Sequence, residues 1–207
     1  MIWKAVFWDF DGVVLDSVDI KTKAFASMFR KYGPEIEKAV VEYHLSNGGV
    51  SRYDKFKYFY HHLLNCSISD ETLKKLGEEF SSIVFQKVLA APFIPGAMET
   101  LTRLKMMGVP SYIVSGTPQE EVRHIVTLRN LKDFFDEVHG SPRGKKEIIN
   151  DILERFKFDP EKCVFLGDAM TDFDAAQKTG VSFIGIIGNG GKVSFPNGTL
   201  IMNSVNI

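Results

Sequence analysis

The run Ala5-Val6-Phe7-Trp8, apolar at every position and cut off by Asp9-Phe10-Asp11-Gly12, limits the fold more than any other stretch of the chain. A strand with one wet face alternates apolar and polar residues. A strand without that alternation is buried on both faces, as in the middle of a parallel sheet. Similar runs recur at Ser111-Tyr112-Ile113-Val114, at Lys162-Cys163-Val164-Phe165-Leu166 and from Val181 to Ile187, with a weaker one at Glu137-Val138-His139. Helical patterns separate them. Ala97 to Met107 is closed by Gly108. Thr117 to Asn130 opens on Thr117-Pro118-Gln119-Glu120, which reads as a capping box with Thr117 as N-cap. Lys145 to Phe156 follows Ser141-Pro142, and Thr171 to Thr179 is closed by Gly180. Strand alternating with helix predicts an α/β fold built on a doubly wound, Rossmann-like parallel sheet.

The middle of the chain has another texture. Val18, Thr22, Phe25, Phe29 and Tyr32 share one helical face that Gly33-Pro34 ends. Phe56, Phe59, Tyr60 and Leu63 mark a second helix, and Leu73, Leu76, Phe80, Ile83, Val84 and Val88 a third, with Ser69, Asp70 and Glu71 as start signals. The expected organisation is therefore an α/β core of residues 1–15 and 93–207, interrupted by a helical insertion of residues 16–92. Gly188 to Gly198 reads as a loop and Thr199 to Ile207 as a possible edge strand.

Composition narrows the function classes. A formal net charge of −1 provides no field to attract nucleic acid or an anionic membrane. No apolar run approaches the roughly 20 residues of a spanning helix, and the first ten residues do not read as a signal peptide. Two cysteines far apart, Cys66 and Cys163, make neither a disulfide scaffold nor a closed zinc site, which suits a reducing cytoplasm. None of the five histidines has ligand spacing, and all read as structural or surface residues.

The chemistry concentrates at strand ends. Asp9 and Asp11, one residue apart just past the first strand, point the same way if the segment stays extended. Leu166-Gly167-Asp168 ends another strand, and Asp172 follows in the first turn of a helix. Ligands of open α/β sheets bind at the carboxyl ends of strands, where the topology switches. If the first and fourth strands are neighbours, up to four carboxylates converge, which requires a divalent cation; oxygen-only ligation favours Mg²⁺ over zinc. Ser115-Gly116-Thr117, between a strand and a helix, offers a hydroxyl and free amides to an anion. Lys145 opens the next helix and is able to offset the acidic cluster, with Lys146 and Arg143 as alternatives.

In this order, Asp9-Phe10-Asp11-Gly12, Ser115-Gly116-Thr117, Lys145 and Gly167-Asp168 with Asp172 resemble the four motifs of the haloacid dehalogenase superfamily. Asp11 to Ser17 followed by a helical insert is similar to the subfamily with a helical cap, which includes phosphoglycolate phosphatase and β-phosphoglucomutase-like members. The resemblance implies a Mg²⁺-dependent phosphatase acting on a small phosphorylated metabolite. Asp9 would be the nucleophile that forms an aspartyl phosphate, and Asp11 the general acid and base. Asp9, Asp11 through its backbone carbonyl, and Asp168 would hold Mg²⁺, with Asp172 in support. Ser115, Gly116 and Lys145 would hold the phosphoryl oxygens. Gly48-Gly49 and the following Arg52 and Lys55 look like the specificity loop of the cap, so the two basic residues either meet a second anionic group of the substrate or are solvated helix-start charges. A phosphomutase is the alternative, although Lys21 stands where such mutases place a histidine and the third motif lacks their lysine-proline signature. A phosphonate hydrolase would need Lys55 as a Schiff-base lysine, and a dehalogenase would have no use for Asp11. A phosphoacceptor signalling domain is the non-enzymatic alternative. No nucleic-acid or membrane partner is expected, and both a monomer and a homodimer are compatible with the chain.

Overall fold

The structure, a computed structural model, describes residues 3–188 and 195–207. Among them, six strands form one all-parallel sheet in the order β3-β2-β1-β4-β5-β6. They are β1 (Ala5–Trp8), β2 (Ser111–Pro118), β3 (Glu137–Ser141), β4 (Cys163–Gly167), β5 (Ser182–Ile186) and β6 (Leu200–Met202). Every β1 side chain is buried, as its unbroken apolar run requires. Its register pairs Val6 with Ser111 on one side, and Ala5 with Cys163 and Trp8 with Leu166 on the other. The chain builds outward from β1 through β2 to β3, then crosses to β4 on the opposite side. The crevice between β1 and β4 is thus the switch point of the sheet. β6 lies at the edge expected between Thr199 and Ile207; of the loop expected over Gly188 to Gly198, residues 189–194 lie outside the described residues.

Helices α5 (Ala97–Met106), α6 (Gln119–Leu128), α7 (Lys145–Phe156) and α8 (Met170–Thr179) connect the strands. α7 and α8 cover one sheet face, where Ile148, Ile149, Ile152 and Ala176 pack on Phe7, Val114 and Phe165. On the other face, Trp8, Ile113 and Leu166 join Leu101, Val122 and Ile125. Each large apolar side chain buried here contributes about 2–3 kcal/mol of transfer free energy.

Four helices lie between β1 and α5: α1 (Val18–Phe29), α2 (Pro34–Ser46), α3 (Arg52–Tyr58), which continues as a π-turn over Phe59–Leu63, and α4 (Asp70–Leu89). The helical periodicity of their phenylalanines now has a partner set. Phe25 sits at the centre, with ring centroids 4.4 Å from Phe80, 5.6 Å from Phe56 and 5.7 Å from Phe59. Ser69 caps α4 by accepting the Thr72 N–H, as its start signals predict. This aromatic nucleus is continuous with the apolar face of the sheet below it. Among the described residues, no helix is long and apolar enough to cross a membrane.

Candidate active site

Because all six strands run the same way, Asp9, Ser115 and Asp168 emerge at one edge of the sheet, at or near the ends of β1, β2 and β4. One carboxylate oxygen from each of Asp9, Asp168 and Asp172 lies within 4.8 Å of the others. Lys145, buried at the start of α7, places its Nζ 2.8 Å from Asp9 and 2.5 Å from Asp172. Of the alternatives to Lys145, Lys146 is exposed and Arg143 pairs with Glu147 at 3.1 Å. Asp172 also accepts the Ala169 N–H at 3.1 Å, so it caps its helix and faces the cluster together. The Ser115 hydroxyl accepts the Thr117 N–H at 3.1 Å, and Gly116 lines the cavity beside it.

Three carboxylates around one ammonium leave excess negative charge in a buried place. Burial pushes the Asp172 carboxyl up to about 7, with Asp9 adding to the effect and Lys145 opposing it. Asp168 is raised well above the carboxylate range by burial and by Asp9 and Asp172. Burial alone would lower Lys145, but Asp172 and Asp9 outweigh it and hold the lysine above its ordinary range. A hard dication relieves this strain, and a set of hard oxygens is what Mg²⁺ takes. The residues therefore fit the ion.

Asp11 departs from its expected place. The chain leaves β1 at Asp9 and turns, with the Val14 and Leu15 N–H groups both donating to the Phe10 carbonyl. The alternation of an extended segment no longer applies, and the Asp11 carboxylate leaves the cluster. It accepts from Ser17 Oγ at 2.6 Å and Thr117 Oγ1 at 2.8 Å, and it pairs with Lys21 Nζ. Burial pushes its pKa up, but Lys21, Ser17 and Thr117 more than offset this and hold it below the usual carboxylate range. Three carboxylates converge rather than four, and the fourth has its own cation.

The same contacts correct the reading of Thr117. β2 extends through Pro118, α6 starts at Gln119, and no side chain caps it. The Thr117 hydroxyl instead bridges Lys21, at 2.7 Å, and Asp11. That Ser17, Lys21 and Thr117 surround Asp11 is not legible in the sequence, although Lys21 follows Ser17 by one helical turn, a spacing that puts both on one face.

Above the cluster is a cavity of about 780 Å³ whose insertion-side wall includes Lys21, Phe25, His44, Arg52 and Lys55. Arg52 and Lys55 line it, yet both are buried, so neither is a solvated helix-start charge. Arg52 is also not free to meet an anion. It makes a bidentate pair with Glu121 of α6, at 2.9 and 2.5 Å, and donates to Ser81 at 2.6 Å. The reason is tertiary: α6 brings Glu121 against α3 and α4, and a buried guanidinium takes the carboxylate within reach. Lys55 donates to His44 Nδ1 at 2.8 Å, a second contact invisible in the spacing.

The insertion closes on the core through Gly48-Gly49. Thr171 Oγ1 donates to the Gly48 carbonyl at 2.6 Å, and Gly49 has φ +74°. A Cβ on Gly49 would stand 2.2 Å from Thr171 Oγ1 and 3.0 Å from Lys145 Nζ. Gly49→Ala is expected to lower kcat/KM by about 30-fold or more through misplacement of the closed loop, while the melting temperature falls only a few degrees. Wild-type kinetics for this variant would show that the loop contact is dispensable.

The comparisons with known proteins agree with this architecture. The chain is 26% identical over 186 residues, covering 87% of it and 83% of the relative, to a phosphorylated carbohydrates phosphatase of Thermotoga maritima. It is 25% identical to a phosphoglycolate phosphatase of Pseudomonas savastanoi pv. phaseolicola, over 88% of this chain and 69% of that one. The crystal structure of β-phosphoglucomutase from Clostridium difficile superposes with a TM-score of 0.78 at 20% identity, covering 100% of this chain and 92% of that chain, a likeness of fold. The family model described as haloacid dehalogenase-like hydrolase matches residues 6–186, and the chain belongs to that family.

Proposed function

We propose that this chain is a Mg²⁺-dependent phosphatase that hydrolyses a small phosphorylated metabolite through an aspartyl phosphate on Asp9. The observation that carries the reading is the meeting of Asp9, Asp168, Asp172 and Lys145 at the sheet's switch point, beneath a cavity. The names of its relatives, phosphatases of phosphorylated carbohydrates and of phosphoglycolate, support the substrate class.

In this reading an Asp9 carboxylate oxygen forms a bond to phosphorus while the ester P–O bond breaks. A protonated Asp11 gives its proton to the departing alkoxide. Asp11, then ionised, takes a proton from the water that attacks the aspartyl phosphate and so releases phosphate. In the substrate-free site the Lys21, Ser17 and Thr117 contacts favour ionised Asp11, the form that this second step uses; for the first step Asp11 takes its proton from the monoanionic phosphate ester as it binds. Ser115, the Gly116 amide and Lys145 would bind the phosphoryl oxygens, with Lys145 offsetting the repulsion between two anions. Asp9, the Asp11 backbone carbonyl and Asp168 would hold Mg²⁺, with Asp172 in support; bound there, the ion supplies charge neutralisation between nucleophile and phosphoryl group.

Excess chelator is expected to lower p-nitrophenyl phosphate hydrolysis by at least about 100-fold, and added Mg²⁺ to restore it. Full activity in chelator would refute the metal assignment. On a sugar phosphate, release of inorganic phosphate separates this reading from the phosphomutase alternative, which yields an isomer.

A further inference from the structure

We infer that Lys55, oriented by His44, is the receptor for a carboxylate at the far end of the substrate, which makes the substrate class phosphorylated hydroxy acids. The inference rests on the phosphatase reading and assigns the other end of the molecule.

The argument is a charge census of the cavity. Among the described residues, the cations at the site are half-buried Lys21 and buried Arg52, Lys55 and Lys145. Lys21 is paired with Asp11, Arg52 with Glu121, and Lys145 with Asp9 and Asp172. Lys55 is 2% exposed and, among the described residues, has no carboxylate within ion-pair distance. Its one strong contact is a neutral acceptor, His44 Nδ1, which places the hydrogen of that ring on Nε2. Nε2 is itself buried without a partner. The Phe25 ring, 5.7 Å from the ammonium and 4.8 Å from the imidazole, completes an apolar surround.

A buried cation without a counterion is costly. The cost shows in its titration: burial and then Lys21 lower Lys55 to about 7, with Asp168 and Asp11 opposing and Lys145 adding to the fall. Burial and Lys55 likewise press His44 down to about 2, so the imidazole stays neutral and accepts. Of the acidic residues that line the cavity, Asp11 and Asp9 pair with Lys21 and Lys145, Asp168 belongs to the acidic cluster and makes no ion pair with Lys55, and Asp16, Asp19 and Glu42 are exposed at the rim, the last two pairing outward with Lys23 and Lys38. An anion arriving at Lys55 therefore meets an unneutralised cation. One positive charge matches a carboxylate; a second phosphate, as a dianion, would need two.

The test compares ω-phosphooxy carboxylates of two to four carbons with neutral ω-hydroxyalkyl phosphates of equal length. Wild type is expected to favour the carboxylate of the best-fitting length by about 30-fold in kcat/KM. Lys55→Gln retains a donor for His44 but no charge, and Lys55→Met removes both. Each is expected to lower that preference at least tenfold. Equal hydrolysis of both series by wild type would overturn the inference, as would equal losses on both series in the variants. A wild-type preference for an alkanediol bisphosphate would also overturn it. So would borohydride trapping of a phosphonoaldehyde on Lys55, which would make the amine a nucleophile. Hydrolysis of p-nitrophenyl phosphate without discrimination between the series would sink the inference and leave the phosphatase reading intact. If no phosphate ester is hydrolysed, the phosphatase reading falls. Calorimetry with 3-phosphonopropionate and 3-hydroxypropylphosphonate then decides the Lys55 assignment by itself: preference for the former, lost in Lys55→Gln, supports it, and equal affinities overturn it.

Discussion

Asp9→Asn is expected to lower the rate of phosphate release by on the order of 10⁴-fold or more, the scale seen when a covalent nucleophile is removed. The substitution is nearly isosteric. The Asp9 carboxylate accepts the Phe10 N–H at 2.7 Å, and an amide oxygen retains that contact. Asp9 is also buried, with its own N–H bonded to the Leu166 carbonyl at 2.9 Å, so the backbone that presents it is held by the β1–β4 pairing. Lys145 keeps Asp172 as a partner. The fold and the anion site should therefore survive while the nucleophilic oxygen is lost. Steady-state release from p-nitrophenyl phosphate measures the rate. Acid quenching with labelled substrate should show a phosphoenzyme in wild type and none in the variant. Turnover within about 100-fold of wild type would mean that water attacks phosphorus directly and Asp9 is not the nucleophile.

The largest stability effect is expected at Glu121→Gln. The Arg52–Glu121 pair joins α3 of the insertion to α6 of the core, with side chains 4% and 10% exposed. Ser81 donates at 2.5 Å to Glu121 Oε2, the oxygen that also accepts from Arg52 Nη1, and the Arg52 guanidinium lies 4.5 Å from the Phe80 ring centroid. Neutralising one member of such a pair leaves a buried cation, at a cost of about 3 kcal/mol. For a chain of this length that is a fall of about 9 °C in melting temperature. Scanning calorimetry of the metal-free protein is the direct measurement. The double variant Glu121→Gln with Arg52→Met should recover part of the loss, because the uncompensated charge goes with it. A fall of less than about 2 °C would show that the pair is solvated in the working conformation and that the insertion opens away from α6 more often than it closes.

The legible features of this chain are local ones. Unbroken apolar runs announced the central strands because a strand covered on both faces has no position for a polar residue. Phenylalanines at helical spacing announced the insertion, and Gly108 and Gly180 marked helix ends. Asp9, Asp168, Asp172 and Lys145 stood out because each is a charged residue next to an apolar strand or at a helix start, where a purely structural chain has little use for it. The order in which they occur then made the resemblance specific.

What stayed hidden depends on partners distant in sequence. Asp11 turns from the acidic cluster because Ser17, Lys21 and Thr117 meet it from two other elements. Thr117 reads as a helix cap until the extension of β2 puts its hydroxyl beside Lys21. Arg52 and Lys55 are three residues apart on one helix and look alike as charges. One finds Glu121 and is neutralised; the other donates to a histidine and, among the described residues, meets no carboxylate. The amino-acid order by itself determined the sheet, the inserted helices and the acidic strand ends, since those follow from hydrophobic period and chain direction. Only the tertiary structure decided which buried charges have counterions, because that rests on side-chain distances of a few ångströms between segments tens of residues apart.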